Sequence, residues 1–323
     1  MKPRLSRVFF FAALALLPAH SAFSQGVTTS NLNPLQVAIK HWYGANLAAQ
    51  FPVGAYPRGI TFDGGNIWVS LQTSNAVLRI RPSDGAQIAS YTVGVAPIAL
   101  ESDGASIWVA NYSSNTVSRI IAATGVVKTY KAMGSGPAGL VFDGTYIWIA
   151  DSLTNNVARL RASDGACVSP CIFTAGVGTN PANMAFDGSN VWISNTGSTS
   201  VTRLRASDGA CVSPCNFSTI AAPGGLAFDG TYIWVSILNN LLKLRTTDGT
   251  IMLNPFAGAW EGGLVFDGAN IWLNGGTNVE EFRASDGALL GQFPGAGGTS
   301  GAIAFDGANI WSVNGNGGSV LKY

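Results

Sequence analysis

The chain has 323 residues, of which 11% are charged, and a formal net charge of +1. A chain of that length buries about 75% of the surface its unfolded form exposes, enough for a large core. Its near-neutral balance offers no basic field for nucleic acid and no charged face for an anionic membrane. Glycine is abundant at 40 residues, but it recurs at fixed places beside aromatic and β-branched residues, unlike low-complexity disorder.

Lys2, Arg4 and Arg7 precede an apolar run from Val8 to Leu17 and small residues at Ala19, Ser21, Ala22 and Ser24. This is the pattern of a secretory signal peptide over residues 1–24, with a mature chain beginning near Gln25. The apolar run is too short to span a bilayer, and no later stretch reaches the roughly 20 apolar residues of a membrane helix. No transmembrane segment is therefore expected in the mature chain, and the cleavage region has no cysteine for a lipid anchor. In the lead-in, residues 25–43, Leu35, Val37, Ala38, Ile39 and Trp42 fall near helical spacing and predict a short helix.

From residue 44 onward the chain repeats itself. "FDGTYIW" occurs at 142–148 and 228–234, and "FDGANIW" at 266–272 and 305–311. Aligned on the tryptophan, the copies are Trp68, Trp108, Trp148, Trp192, Trp234, Trp272 and Trp311, a period near 40 residues. Each copy has one grammar. An apolar strand leads into an Asp-Gly turn and a second strand; a polar loop then leads to a third strand, a second turn and a fourth strand. Seven four-stranded antiparallel units predict an all-β, seven-bladed β-propeller over 44–323. The seventh unit stops after its third strand at "SVLKY", whereas "GANLAAQFPVG" at 44–54 aligns with the fourth strand of the first unit. The N-terminal segment is thus expected to complete the last blade.

"PAGLVFDGTYIWIAD" and "WVANYSSNTVSRI" resemble the NHL-repeat and YVTN-repeat β-propellers, a largely exported group that is also similar to the streptogramin lyase propellers. The resemblance covers nearly the whole mature chain and implies a propeller in the periplasm or outside the cell. Such folds carry binding proteins, scaffolds and several kinds of enzyme, so the resemblance speaks to fold and not to activity.

Twelve of the thirteen aspartates lie in Asp-Gly pairs, where Asp accepts backbone hydrogen bonds and Gly takes positive φ. The repeated Trp supplies packing surface between blades. Third strands carry Arg79, Arg119, Arg159, Arg203, Lys243 and Lys322, with Glu281 at the matching place in blade six. These cations are expected to pair with the turn carboxylates. "CVSPC" occurs twice, as Cys167 with Cys171 and Cys211 with Cys215. A single four-cysteine zinc site would need both pairs in one coordination shell, but neighbouring sheets lie about 10 Å or more apart. Two disulfides, one inside each blade, are the better expectation in an exported protein.

Functional expectations rest on breaks in the repeat. The turns at one face are nearly invariant, while second-to-third strand loops and inter-blade links vary at the other face, where the channel mouth gathers them. Arg58 stands in a slot that is otherwise small or apolar, Glu101 where other copies have Thr, Val or Ala, and Asp151 outside any Asp-Gly turn. Trp260 and Glu261 interrupt small residues before blade six. With Tyr112, these are the candidate ligand- or partner-binding residues. No catalytic residue and no metal ligand is assigned. The lyase resemblance implies chemistry through histidine, carboxylate and a divalent metal, but the mature chain has one histidine, His41, ahead of the first blade. Its glutamates, Glu101, Glu261, Glu280 and Glu281, are scattered, and no nucleophile elbow, phosphate loop or zinc-protease motif is present. The expectation is a noncatalytic scaffold without cofactor whose partner is a protein or small molecule. The alternatives are a lyase or hydrolase and a small-molecule or glycan-binding module.

Overall fold

A computed structural model of the chain describes residues 49–323 apart from 55, 175, 212, 254–261 and 296–300. The expected signal peptide and lead-in helix, together with His41, Trp260 and Glu261, lie outside the described residues.

Seven four-stranded antiparallel sheets make the seven blades. Blade one runs outward as Pro57–Phe62, Ile67–Leu71, Ala76–Ile80 and Gln87–Thr92. The corresponding inner strands of the other blades are Pro97–Ser102, Pro137–Phe142, Pro181–Phe186, Pro223–Phe228, Leu264–Phe266 and Ile303–Phe305. In blade seven the outer strand is Ala49–Pro52, paired with Ser319–Lys322, so the expected closure of the ring is present. Phe51 on this strand stacks on Trp311 at 5.6 Å, and Gln50 donates to the Ser319 hydroxyl at 2.8 Å. No described helix is long and apolar enough to cross a membrane.

The aspartate of each first turn does more than close a hairpin. In blade one, Asp63 Oδ1 accepts from the backbone N–H of Gly65 and Asn66, while Oδ2 accepts from Trp68 Nε1 at 2.7 Å. The indole bond recurs in every blade, from Trp108 with Asp103 to Trp311 with Asp306. The spacing Asp-x-x-x-x-Trp therefore joins a turn to the core, and it satisfies the one polar atom of an otherwise buried ring. Six of these tryptophans are fully buried and sit between neighbouring sheets; Trp68, for example, packs with Leu100, Ile107 and Val109 of blade two.

The third-strand cations do not pair with the turn carboxylates as the sequence suggested. They lie over the tryptophan rings and reach backbone carbonyls in the third-to-fourth turn of the next blade. Arg79 donates to Ala122 O at 3.1 Å, Arg119 to Ser163 O at 2.8 Å, and Arg159 to Ala206 O at 2.8 Å. Arg203 donates to Thr246 O, Lys243 to Ala284 O and Lys322 to Pro82 O. Among the described residues only Lys243 of these cations approaches a carboxylate, Asp229, at 3.8 Å. The physical reason is that both oxygens of each turn carboxylate are already taken by backbone and indole donors. The other carboxylates that form ion pairs among the described residues are those of the second turn, as in Arg81–Asp84 at 2.9 Å and Arg161–Asp164, and they are exposed.

At the opposite face, asparagines end the second-to-third loops in the left-handed region, with φ of 53° at Asn75 and Asn115 and 52° at Asn155. Each side chain accepts from a backbone N–H of the following link, as Asn115 Oδ1 does from Gly136 N at 2.8 Å. Asn tolerates this conformation because its short amide bonds locally.

Cys167–Cys171 and Cys211–Cys215 form the two expected disulfides, with Cα separations of 5.6 and 5.4 Å. All four sulfurs are thereby committed, and the pairing is that of a protein in an oxidising environment.

Candidate functional site: the channel mouth

Inner strands converge on the axis so closely that side chains must shrink. A Cβ added to Gly139 would lie 1.6 Å from Ala182 O, and one added to Gly225 would lie 2.4 Å from Gly262 O. What remains along the axis is a cavity of about 670 Å³, walled largely by glycine, alanine and aliphatic residues.

The two faces differ in charge. Loops 72–75, 112–115, 152–155, 196–199, 238–239, 275–277 and 315–318, with links 93–96, 133–136, 176–180 and 219–222, contain no charged residue. The same face exposes Tyr56, Val95, Leu153, Ile220 and Leu238. The Asp-Gly turns and the Arg–Asp pairs occupy the other face.

Three of the candidate residues line the cavity: Arg58, Glu101 and Tyr112. Arg58 is half-buried near the start of its inner strand, at the face of the second-to-third loops, and forms no ion pair among the described residues. Tyr112 follows the second strand of blade two, at the same mouth. Glu101 lies further along its inner strand, toward the charged face, where Oε1 accepts from Phe142 N–H of the next blade at 3.1 Å. Burial pushes its carboxyl up to about 7, against the stabilising Phe142 bond and helped by the nearby Asp103 charge.

Asp151 does not line the cavity. It is fully buried at the end of a second strand, where its Oδ2 accepts from Asn156 Nδ2 at 3.1 Å and its Oδ1 has no partner. Burial raises this carboxyl to about 7, opposed by the Asn156 bond. Blades two and four carry Asn111 and Asn195 here, donating to Thr116 Oγ1 and Ser200 Oγ of the following strand, each at 3.1 Å. In blade three the amide has moved to residue 156 and the acceptor to residue 151, so the same local bond is made with its polarity reversed. Trp260 and Glu261 lie outside the described residues.

The mouth also contains groups that sequence reading did not single out. Ser152 and Thr196 occupy the position of Tyr112 in the next two blades and line the cavity with Asn180. They look like ordinary loop residues, and only their register after the second strand could have marked them. Tyr56 is 42% exposed with a φ of 60°, in the slot where blade three has Gly136. A bulky aromatic residue in that region is an outlier, and its size relative to Ala96 and Gly136 was the available signal.

No family model and no curated protein matches the chain. Among solved structures, a streptogramin B lyase aligns with a TM-score of 0.71 at 19% identity, over 85% of this chain and 96% of that one. A catalytically inactive histidine-to-alanine virginiamycin B lyase from Staphylococcus aureus with quinupristin aligns with a TM-score of 0.71 at 20% identity, over 85% and 98%. A hydrazine synthase of Kuenenia stuttgartiensis aligns equally well, with a TM-score of 0.71 at 19% identity over 84% and 96%. Likeness at this level establishes the propeller fold that the chain shares with these structures.

Proposed function

We propose that this propeller is an exported, noncatalytic binding module that engages its partner or ligand through the channel mouth on the face of the second-to-third loops. The observation that carries the proposal is the placement of Arg58 and Tyr112 together on a cavity of about 670 Å³, at a face whose described second-to-third loops contain no charged residue. The two disulfides support export to the periplasm or beyond, and residues 1–24 are the proposed signal peptide. The rest of the molecule repeats, and repetition serves the ring. Function is assigned to the places where repetition stops.

A lyase is the second reading, favoured by the fold likeness and by Glu101, a carboxyl in the cavity wall raised to about 7. Against it, the Staphylococcus aureus enzyme is inactive when a histidine is replaced by alanine, whereas this sequence has no histidine after His41. Incubation with quinupristin followed by mass spectrometry separates the two readings. The expected result is unchanged quinupristin; conversion that stops in Glu101→Gln would sink the noncatalytic assignment. Binding is tested by crosslinking capture with the normal chain and a folded variant carrying Arg58→Gln and Tyr112→Ala. A species retained by the first and lost by the second supports the module. Equal capture by both removes the mouth from the interaction.

A further inference from the structure

The mouth has a chemical polarity that specifies more than "a ligand". Arg58, Tyr112, Ser152 and Thr196 belong to four consecutive blades and all line the cavity, so they form one arc of its rim. At one end, the guanidinium offers planar, bidentate donors and accepts nothing, in a wall of glycine and aliphatic groups. Its natural complement is a carboxylate or another oxyanion.

At the other end, the two hydroxyls have fixed directions. Ser152 Oγ donates to Gly136 O at 2.9 Å, and Thr196 Oγ1 donates to Asn180 O at 2.9 Å. A hydroxyl has one proton, so both oxygens have only lone pairs left to offer. They require O–H or N–H donors from whatever occupies the mouth. Between the two ends stands Tyr112, half-buried, with an aromatic ring and a phenol.

The complement is a small molecule with an acid group at one edge, a ring in the middle and hydrogen-bond donors at the far edge. Benzoate-like acids lack the donors, and neutral sugars lack the acid. We infer that the channel mouth takes a ring-shaped sugar acid of the uronic acid class, its carboxylate on Arg58, its ring on Tyr112 and its hydroxyls donating to Ser152 and Thr196. This inference rests on the binding-module reading and names its ligand class.

The test is calorimetric titration of the full chain with three probes: glucuronate, glucose and acetate. Glucuronate is expected to bind saturably and at least tenfold more tightly than either of the others. Arg58→Gln is expected to weaken glucuronate at least tenfold and to leave any glucose binding unchanged, and Tyr112→Ala to weaken both sugars. Circular dichroism and melting of each variant confirm that the fold is retained. Equal affinity for glucose and glucuronate, an unchanged Arg58→Gln, or no binding of any probe overturns the assignment. If none of the probes binds but the capture experiment still retains a partner through the mouth, the sugar-acid inference alone has failed. If capture fails as well, both have.

Discussion

Six of the seven blade junctions are built alike, and the junction between blades six and seven is built differently. At the common kind, a third-strand cation crosses to the turn carbonyls of the next blade. A fourth-strand aromatic of the first blade also covers the glycine of that turn in five cases. Phe51 lies against Gly85, Tyr91 against Gly125, Tyr130 against Gly165, Phe173 against Gly209 and Phe217 against Gly249, so closely that a Cβ on any of these glycines would lie within 2.8 Å of the ring. Blade seven has no third-to-fourth turn, because its outer strand, Ala49–Pro52, comes from the other end of the chain. There the cation is replaced by Glu281, which accepts from Asn270 Nδ2 at 2.9 Å. The missing turn is replaced by Tyr323, whose ring lies 6.0 Å from Phe293 and whose hydroxyl donates to Pro294 O at 3.0 Å. The lesson is that Glu281 is no drift of the repeat: a cation at that place would find no turn to bond.

The sharpest way to break this comparison is at the closing strand. Phe51→Ala removes the stack on Trp311 and the contact with Gly85, and is expected to destabilise the ring by about 3 kcal/mol, read as a lower urea midpoint. A loss below about 1 kcal/mol would mean that the closing strand contributes little to the cooperative unit.

Asp151 provides a contrast, a break in the repeat with no topological cause. Its carboxyl moves from an ordinary value near 3.8 to about 7, so over that interval the folded chain retains a proton that the unfolded chain releases. Stability consequently falls as pH rises through the interval, and Glu101, raised from 4.5 to about 7, adds a slope of the same sign. Asp151→Asn is expected to flatten that slope and to raise stability near pH 8 by about 2 kcal/mol. An unchanged pH profile would show that the carboxyl is not held protonated by its burial.

Among the cations, Arg159→Met is expected to cost about 1–2 kcal/mol, because the carbonyls of Ala206 and Ser207 lose their donor. Glu281→Arg should recover no stability, and a stabilising outcome there would refute the account of the closing junction. The smallest effect belongs to Arg81→Ala, whose exposed partner Asp84 leaves the melting temperature unmoved within error.

The ring was legible in the sequence because its determinants are local and periodic: an Asp-Gly turn, a tryptophan five residues later, and a polar loop before the next strand. The closing strand was legible for the same reason, as a fourth strand out of place. The destination of the cations was not. Their acceptors are main-chain carbonyls, which any residue supplies, so no side chain in the sequence marks them. Arg58, Glu101 and Tyr112 stood out and line one cavity, the first and last at its mouth and Glu101 deeper, whereas Asp151 stood out by the same criterion and proves fully buried. A break in a repeat reports a changed environment, and it does not say whether that environment is solvent or core. Ser152 and Thr196 read as ordinary loop residues, because only the folded mouth fixes where their hydroxyl protons point.

The closing strand has a consequence in time. Gln50 and Ser319, bonded across the last blade, are 269 positions apart in the chain. At about 5–20 residues synthesised per second, the strand that will seal the ring waits on the order of 10–50 s before its partner exists. During that interval Ala49–Pro52 is a strand without a sheet, and the six earlier blades form an open arc with a sticky end. Until Ser319–Lys322 emerges, the waiting strand can pair with its own last blade only by remaining unpaired with a neighbour's.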